Sequence, residues 1–324
     1  MFLNPKLPGI SPEDLLYSVP VPAQTGVSNT SVTMNAASME NSGFEFSATY
    51  RNRDHALKYD ISANVSTLKN KVTSLGIGKN SYITGAYATY VGQEIGKFYG
   101  WVYEGIARTQ DELDGHATQQ GANVGDCLYK DISGPNGEPD GVIDAYDQTV
   151  LGSGLPKVNF GLSTHMEYKG FDLNISTYGV LNYHVSDDIY NSLNSCYGYG
   201  NKEVGMLDAN RWSEDGSTYL SSVPRTYAAN NATLGWNDLF SSRKIQNAAY
   251  WKIANVELGY NFPDKWFGGY VSGVRLYVSA QNLYTFTGYH GYNVDYAGGT
   301  FTPGYNFCSF PSARTFMCGL HFTF

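Results

Sequence analysis

Ser312-Ala313-Arg314-Thr315-Phe316-Met317-Cys318-Gly319-Leu320-His321-Phe322-Thr323-Phe324 is the stretch on which the reading of the fold turns. From Phe316 every second residue is apolar (Phe316, Cys318, Leu320, Phe322, Phe324), while Thr315, Met317, Gly319, His321 and Thr323 are mostly small or polar. That is the period of a β-strand whose two faces meet different surroundings. A soluble sandwich seldom ends on a bare apolar strand, because a terminal edge invites pairing with other chains. In a membrane β-barrel the last strand pairs with the first and closes the cylinder, so no edge remains.

The same period recurs upstream. In residues 273–287, Val274, Leu276, Val278 and Ala280 alternate with Arg275, Tyr277, Ser279 and Gln281, and a further strand is expected over 249–262, before Pro263. Residues 158–168 and 171–179 predict a hairpin about Lys169-Gly170, with Phe171, Leu173 and Ile175 on one face and Asp172, Asn174 and Ser176 on the other. Phe44, Phe46, Ala48 and Tyr50, then Tyr59, Ile61, Ala63 and Val65, predict another hairpin about residues 52–55. Residues 93–107 read as one aromatic strand with glycine breaks, and residues 1–40, rich in Pro, Ser, Thr and Asn, as connection with one short strand near 14–19. Short turns thus alternate with long polar loops at 69–93, 108–156, 182–248 and 288–311. This asymmetry predicts an all-β fold, an antiparallel transmembrane β-barrel with long extracellular loops.

Composition agrees. The 324 residues include 27 Tyr, 16 Phe and 36 Gly, and a 15% aromatic content goes with a mean hydropathy of -0.31. No run approaches the roughly 18 consecutive apolar residues of a transmembrane helix, but barrel strands need only about 10 alternating residues each. A net charge of -8 argues against nucleic acid. Cys127, Cys196, Cys308 and Cys318 have no C-x-x-C spacing, which disfavours zinc. No basic and apolar leader opens the chain, so an outer-membrane location would make it the C-terminal portion of something longer.

Five phrases, in order along nearly the whole chain, resemble the SusC/RagA group of TonB-dependent outer-membrane transporters: Met39-Glu40-Asn41-Ser42-Gly43-Phe44-Glu45-Phe46, Gly100-Trp101-Val102-Tyr103-Glu104-Gly105-Ile106, Asn255-Val256-Glu257-Leu258-Gly259-Tyr260-Asn261-Phe262-Pro263, Leu276-Tyr277-Val278-Ser279-Ala280-Gln281-Asn282-Leu283 and Pro311-Ser312-Ala313-Arg314-Thr315-Phe316. The resemblance implies that residues 1–324 are the C-terminal part of a plugged barrel of about 22 strands, with plug and TonB box outside this chain. It also implies outer-membrane uptake of oligosaccharides or peptides, with a SusD-like surface lipoprotein and TonB as partners. The alternative is a non-transporting surface protein, either an adhesin-like barrel or a carbohydrate-binding β-sandwich.

Within the 108–156 loop, Asn136, Glu138, Asp140, Gly141, Ile143, Asp144 and Asp147 fall at positions 1, 3, 5, 6, 8, 9 and 12 of a calcium loop. Calcium held by Asn136, Glu138, Asp140, Asp144 and Asp147 is therefore one expectation, and an acidic solvated turn the other. Tyr190, Tyr197, Trp212, Trp236 and Tyr292, in the long loops, are candidates to stack on a ligand, against the alternative of girdle and loop packing. No nucleophile elbow, H-E-x-x-H or phosphate loop is present, so the chain does not read as an enzyme.

Overall fold

The computed structural model describes residues 15–20, 31–76, 80–194, 201, 211–213, 221–226, 235–267, 273–295, 298–307 and 309–323. Its strands in chain order are β1 (Leu15–Pro20), β2 (Ser31–Ser42), β3 (Glu45–Asn52), β4 (Leu57–Thr67), β5 (Lys69–Leu75), β6 (Ser81–Thr84), β7 (Tyr87–Tyr90), β8 (Lys97–Gly100), β9 (Tyr103–Ile106), β10 (Cys127–Tyr129), β11 (Thr149–Ser153), β12 (Val158–Tyr168), β13 (Phe171–Leu181), β14 (His184–Asp187), β15 (Gln246–Asn247), β16 (Tyr250–Phe262), β17 (Gly273–Thr287), β18 (Gly298–Gly299), β19 (Thr302–Pro303), β20 (Tyr305–Asn306) and β21 (Thr315–Thr323). Two short helices, α1 (Gln110–Asp114) and α2 (Asp188–Leu193), lie between them.

Seven strands form one antiparallel sheet in the order β3-β4-β12-β13-β16-β17-β21, the order of the chain itself. It is an up-and-down wall, and its register explains its two faces. One row crosses all seven strands as Tyr50, Ile61, Thr164, Ile175, Val256, Ala280 and Phe316. The adjacent row crosses them as Arg51, Asp60, His165, Asn174, Glu257, Ser279 and Met317. Because side chains alternate across a strand, one face is nearly all apolar and the other nearly all polar. Leu162, Phe171, Leu258, Leu276, Val278 and Leu320 stand exposed on the apolar face. On the polar face Arg275 bonds Asp172 (3.0 Å) and Glu257 (2.7 Å), and His165 meets Asn174 (2.6 Å) and Glu167 (2.9 Å).

The hairpin turns follow from local chemistry. Lys169 and Gly170 both adopt positive φ (49° and 90°), the left-handed pair of a two-residue turn whose twist suits the flanking strands. Residues 53–56, 169–170 and 263–272 make the short connections at one end of the wall, and 68–157, 182–249 and 288–314 the long ones at the other.

The long connections are folded. Among the described residues three buried apolar clusters lie in them, at the wall end or, for Ala37, on β2 paired to β5: Ala37, Val72, Leu75 and Ile95; Cys127, Tyr129, Ile143 and Trp236; and Tyr183, Val185, Ala248, Tyr250, Tyr289 and Val294. The wall itself has one apolar face turned outward and so contributes little to a core. Residues 69–93, expected as loop, contain β5, β6 and β7. The N-terminal region, expected to hold at most one short strand, holds β1 and β2 among its described residues, and β2 pairs with both β1 and β5. Small polar residues blur the period of β2. The strand expected over 93–107 with glycine breaks is divided into β8 and β9: at Gly100 the chain lies against the carbonyl of Phe240, leaving no room for a Cβ, and Trp101 bridges to Ser241.

Candidate functional site

The acidic segment is a tied turn. Asp147 is fully buried and its carboxylate accepts the amides of Ile132 (2.8 Å), Ser133 (3.2 Å) and Asp144 (2.9 Å). Asp144 caps the short turn of residues 145–147 by accepting from Tyr146 N, and Asp140 accepts from Val142 N. Asn136 and Glu138 are exposed. Among the described residues no three His, Cys, Asp or Glu side chains stand together as a metal-ion ligand set. As placed, the carboxylates at calcium-loop spacing do not converge on one point, and backbone amides engage that of Asp147. Asp131, outside the spacing match, accepts from Gly141 N at 2.7 Å.

The aromatic candidates divide. Trp236 is buried, with its ring 6.2 Å from that of Tyr129 and its Nε1–H donated to the carbonyl of Gln120. Trp212 is buried against Gly125, whose missing Cβ leaves room for the indole. Both act as core. Tyr197 lies outside the described residues. Tyr190 and Tyr292 each open onto a cavity.

The first cavity, of about 330 Å³, lies where the loop-end of the wall meets residues 291–295, and Tyr292 is 63% exposed at it. Its floor is Lys252, 5% exposed at its side chain and paired with Asp295 at 2.6 Å. Tyr178 donates its hydroxyl to the same carboxylate at 3.3 Å. Register places Tyr178 and Lys252 opposite each other on the polar face of β13 and β16. Asn282, Asn293 and Arg314 add donors and acceptors around the rim, and an adjoining hollow of about 270 Å³ is lined by Tyr183, Tyr250 and Val180. A fixed charge pair ringed by amides and tyrosines suits a polar, oligomeric ligand with apolar ring faces or side chains. Lys252 and Asp295 are 43 residues apart in sequence; neither stood out there, because only strand register brings them together.

The second cavity, of about 310 Å³, lies between two loop walls. α2 presents Tyr190, Asn191 and Asn194. Its N-cap Asp187 is buried and engaged by Tyr190 N, the Tyr289 hydroxyl and Asn306 Nδ2. Burial, with Asp187 beside it, pushes the Tyr289 phenol far above its ordinary range. Tyr190 stacks on His290 with ring centroids 5.7 Å apart and 17° between planes. The facing wall is the turn Ser242–Lys244, which carries Arg243 and Lys244 and is held by bonds between Ser242 N and Trp101 O (3.0 Å) and between Tyr103 N and Ser242 Oγ (3.0 Å).

No protein-family model matches the chain. TonB-dependent receptor P3 of Formosa agariphila is 31% identical over 97% of the chain, and TonB-dependent receptor SusC of Bacteroides thetaiotaomicron is 27% identical over 96%. The fold matches the structure of the RagAB peptide transporter with a TM-score of 0.76, at 22% identity over 97% of the chain. Throughout its length the chain is similar in sequence to part of the TonB-dependent receptors, and in fold to part of the RagAB transporter. It spans about a third of the length of the relatives it matches: 31% of P3, 29% of SusC and 32% of the RagAB chain. Its up-and-down wall matches the fold of an outer-membrane β-barrel, and the apolar row from Tyr50 to Phe316 lies on the face that such barrels turn to lipid. Wall and loop together line the first cavity, and the folded loops line the second.

Proposed function

We propose that the protein containing this chain imports oligosaccharides or peptides across the outer membrane, energised through TonB and working with a SusD-like surface lipoprotein. The observation that carries the proposal is the cavity over Lys252 and Asp295. It sits on the polar, lumen-side face at the end of the wall where the long loops gather, which by the usual asymmetry of such barrels is the extracellular end. A ligand arriving from outside meets Tyr292 first and the charge pair below it. The likeness to SusC and to the RagAB peptide transporter supports uptake of an oligomer of this kind. A non-transporting adhesin-like barrel would have no use for a polar cavity set on the lumen side, and a soluble sandwich would not turn the Tyr50 to Phe316 row outward.

The test is uptake in cells. A strain lacking the full-length protein is expected to stop importing one class of oligosaccharide or peptide. Tyr292→Ala and Lys252→Met, each leaving the protein in the outer membrane, are expected to raise the substrate concentration needed for half-maximal uptake. Unchanged import of every oligomer in the deletion strain would refute the proposal.

A further inference from the structure

We infer that the first cavity holds the backbone of an extended peptide as an added strand on the loop-end edge of β17, an inference that rests on the uptake reading above and chooses between its two oligomer classes. β16 accompanies β17 to its last residue, where Tyr250 pairs with Thr287, whereas β21 leaves it at Gln281, paired with Thr315. From Asn282 to Thr287, therefore, β17 has a strand on one side only among the described residues. Asn282 closes the corner at which β21 departs, with a positive φ of 51° and its Nδ2 donated to the carbonyl of Ala313 at 2.9 Å. Thr285 and Thr287 stand on the polar face with Lys252, and Tyr284 on the opposite face, yet all of them line the same space. Neighbouring residues of a strand point to opposite faces, so a cavity that both faces touch runs along the edge between them. Ser312, Arg314 and residues 291–295 form its other walls.

An open edge is a chemical template. Every second residue of an antiparallel strand directs its N–H and C=O to the same side, at a repeat of about 7 Å, and an extended peptide backbone repeats at the same interval. An oligosaccharide has no such alternation of donors and acceptors. In hydrocarbon an edge without a partner costs several kcal/mol, so this one belongs at the membrane surface or above it. Its surroundings agree: Trp251 and Phe286, exposed on the lipid face at the same level, stack with ring centroids 5.3 Å apart and 23° between planes, as in the aromatic belt of a membrane interface. Lys252 and Asp295 satisfy each other at 2.6 Å and so form a fixed wall that demands no charge of the ligand. Main-chain bonds give affinity in this mode of binding, and alternate side chains give selectivity. One set meets Tyr284, the other Thr285 and the charge pair. At about 330 Å³ the space takes a short segment of peptide.

The probe is a pancreatic digest of casein, incubated with the full-length protein in detergent. Retained peptides would be identified by mass spectrometry, and the most strongly held one resynthesised with a methyl group on one amide nitrogen at a time. Because an added strand uses every second N–H, methylation is expected to weaken binding about tenfold at alternate positions and much less between them. The same peptide carrying a benzophenone side chain is expected to cross-link within residues 282–287, 291–295 or 312–314. Retention of no peptide would overturn the inference, and is the result to be seen if an upstream strand of the same protein fills the edge. Losses that are equal at successive amides, no loss at any of them, or cross-links confined to other residues would overturn it too. Failure of the uptake reading would appear separately, as undisturbed import of every oligomer in the deletion strain; loss of oligosaccharide import alone in that strain would leave uptake standing and remove the added peptide strand.

Discussion

Asp147 shows how one residue type can carry two meanings. Its spacing from Asp140 and Asp144 suits a cation, yet its carboxylate is surrounded by three amides that satisfy it as an anion receiver. Asp147→Ala would leave those amides buried without an acceptor, and is expected to cost about 3 kcal/mol of stability in chemical unfolding. Calcium added to millimolar concentration is expected to leave the wild-type unfolding midpoint where EDTA leaves it. Glu94 gives a pH-dependent counterpart. Burial alone would raise its pKa, but hydrogen bonds from Lys157 and Ser153 and the charges of Lys157 and Lys97 outweigh that and hold the carboxyl below its ordinary 4.5. A lowered carboxyl contributes stability that is fully present above the ordinary value and is lost as pH falls through the folded one. Lys157 precedes the wall strand β12, so the pair fastens folded loop to barrel. Acidification below about pH 4.5 should lower the melting temperature of wild type more than that of Glu94→Gln. At this scale the sequence showed which residues were unusual but not what they faced: Trp212 and Trp236 were legible as aromatic and not as buried, and Lys252 gained its meaning only from Asp295.

Strands were the most legible elements, because two solvents impose a period that no loop imitates. The hairpin about Lys169-Gly170 and the strand Gly273–Thr287 are where alternation places them. β2 was not legible, since Ser31–Ser42 is assembled from small polar residues and is held by neighbours on both sides. The glycine breaks within 93–107 were legible, but not what crowds them: Phe301, Pro303 and Phe240, beside Gly96 and Gly100, come from far along the chain. The wall also refines what each face tolerates. Val278 and Leu258 are exposed on the lipid side, and an Arg at either is expected to lower barrel stability by about 2 to 4 kcal/mol near the midplane. Ser176 is exposed on the polar face, and Ser176→Arg is expected to cost much less. Ser279, which the alternation alone would place beside it as equally tolerant, is 6% exposed and has no room for such a change. Folding of the full-length protein into lipid vesicles, followed by urea titration, would compare them; equal sensitivity at Val278 and Ser176 would contradict the assignment of faces.

For the molecule as a whole, the decisive quantity is the number of strands that can pair. Every strand in hydrocarbon must have both edges bonded, because an N–H or C=O without a partner there costs several kcal/mol. Among the described residues the wall has seven strands, and its margins, β3 and β21, are each bonded on one side within it. Seven is below the smallest single-chain bacterial barrels, which have about eight. The folded loops cannot cover these margins at membrane depth, since their cores sit at one end, around Ile95, Tyr129 and Tyr289. A sheet in this state would pair with other copies before it closed on itself. Residues 1–324 expressed alone behind a secretion signal are therefore expected neither to insert stably nor to transport, whereas the same residues within a protein of the relatives' length are expected to do both. Heat-modifiable migration on gels and uptake of labelled oligomers read the two outcomes directly. If the 324 residues alone gave a heat-modifiable, transporting product, the β3 and β21 margins would have to meet in a smaller closed barrel, and the wall described here would be a complete cylinder instead of an arc.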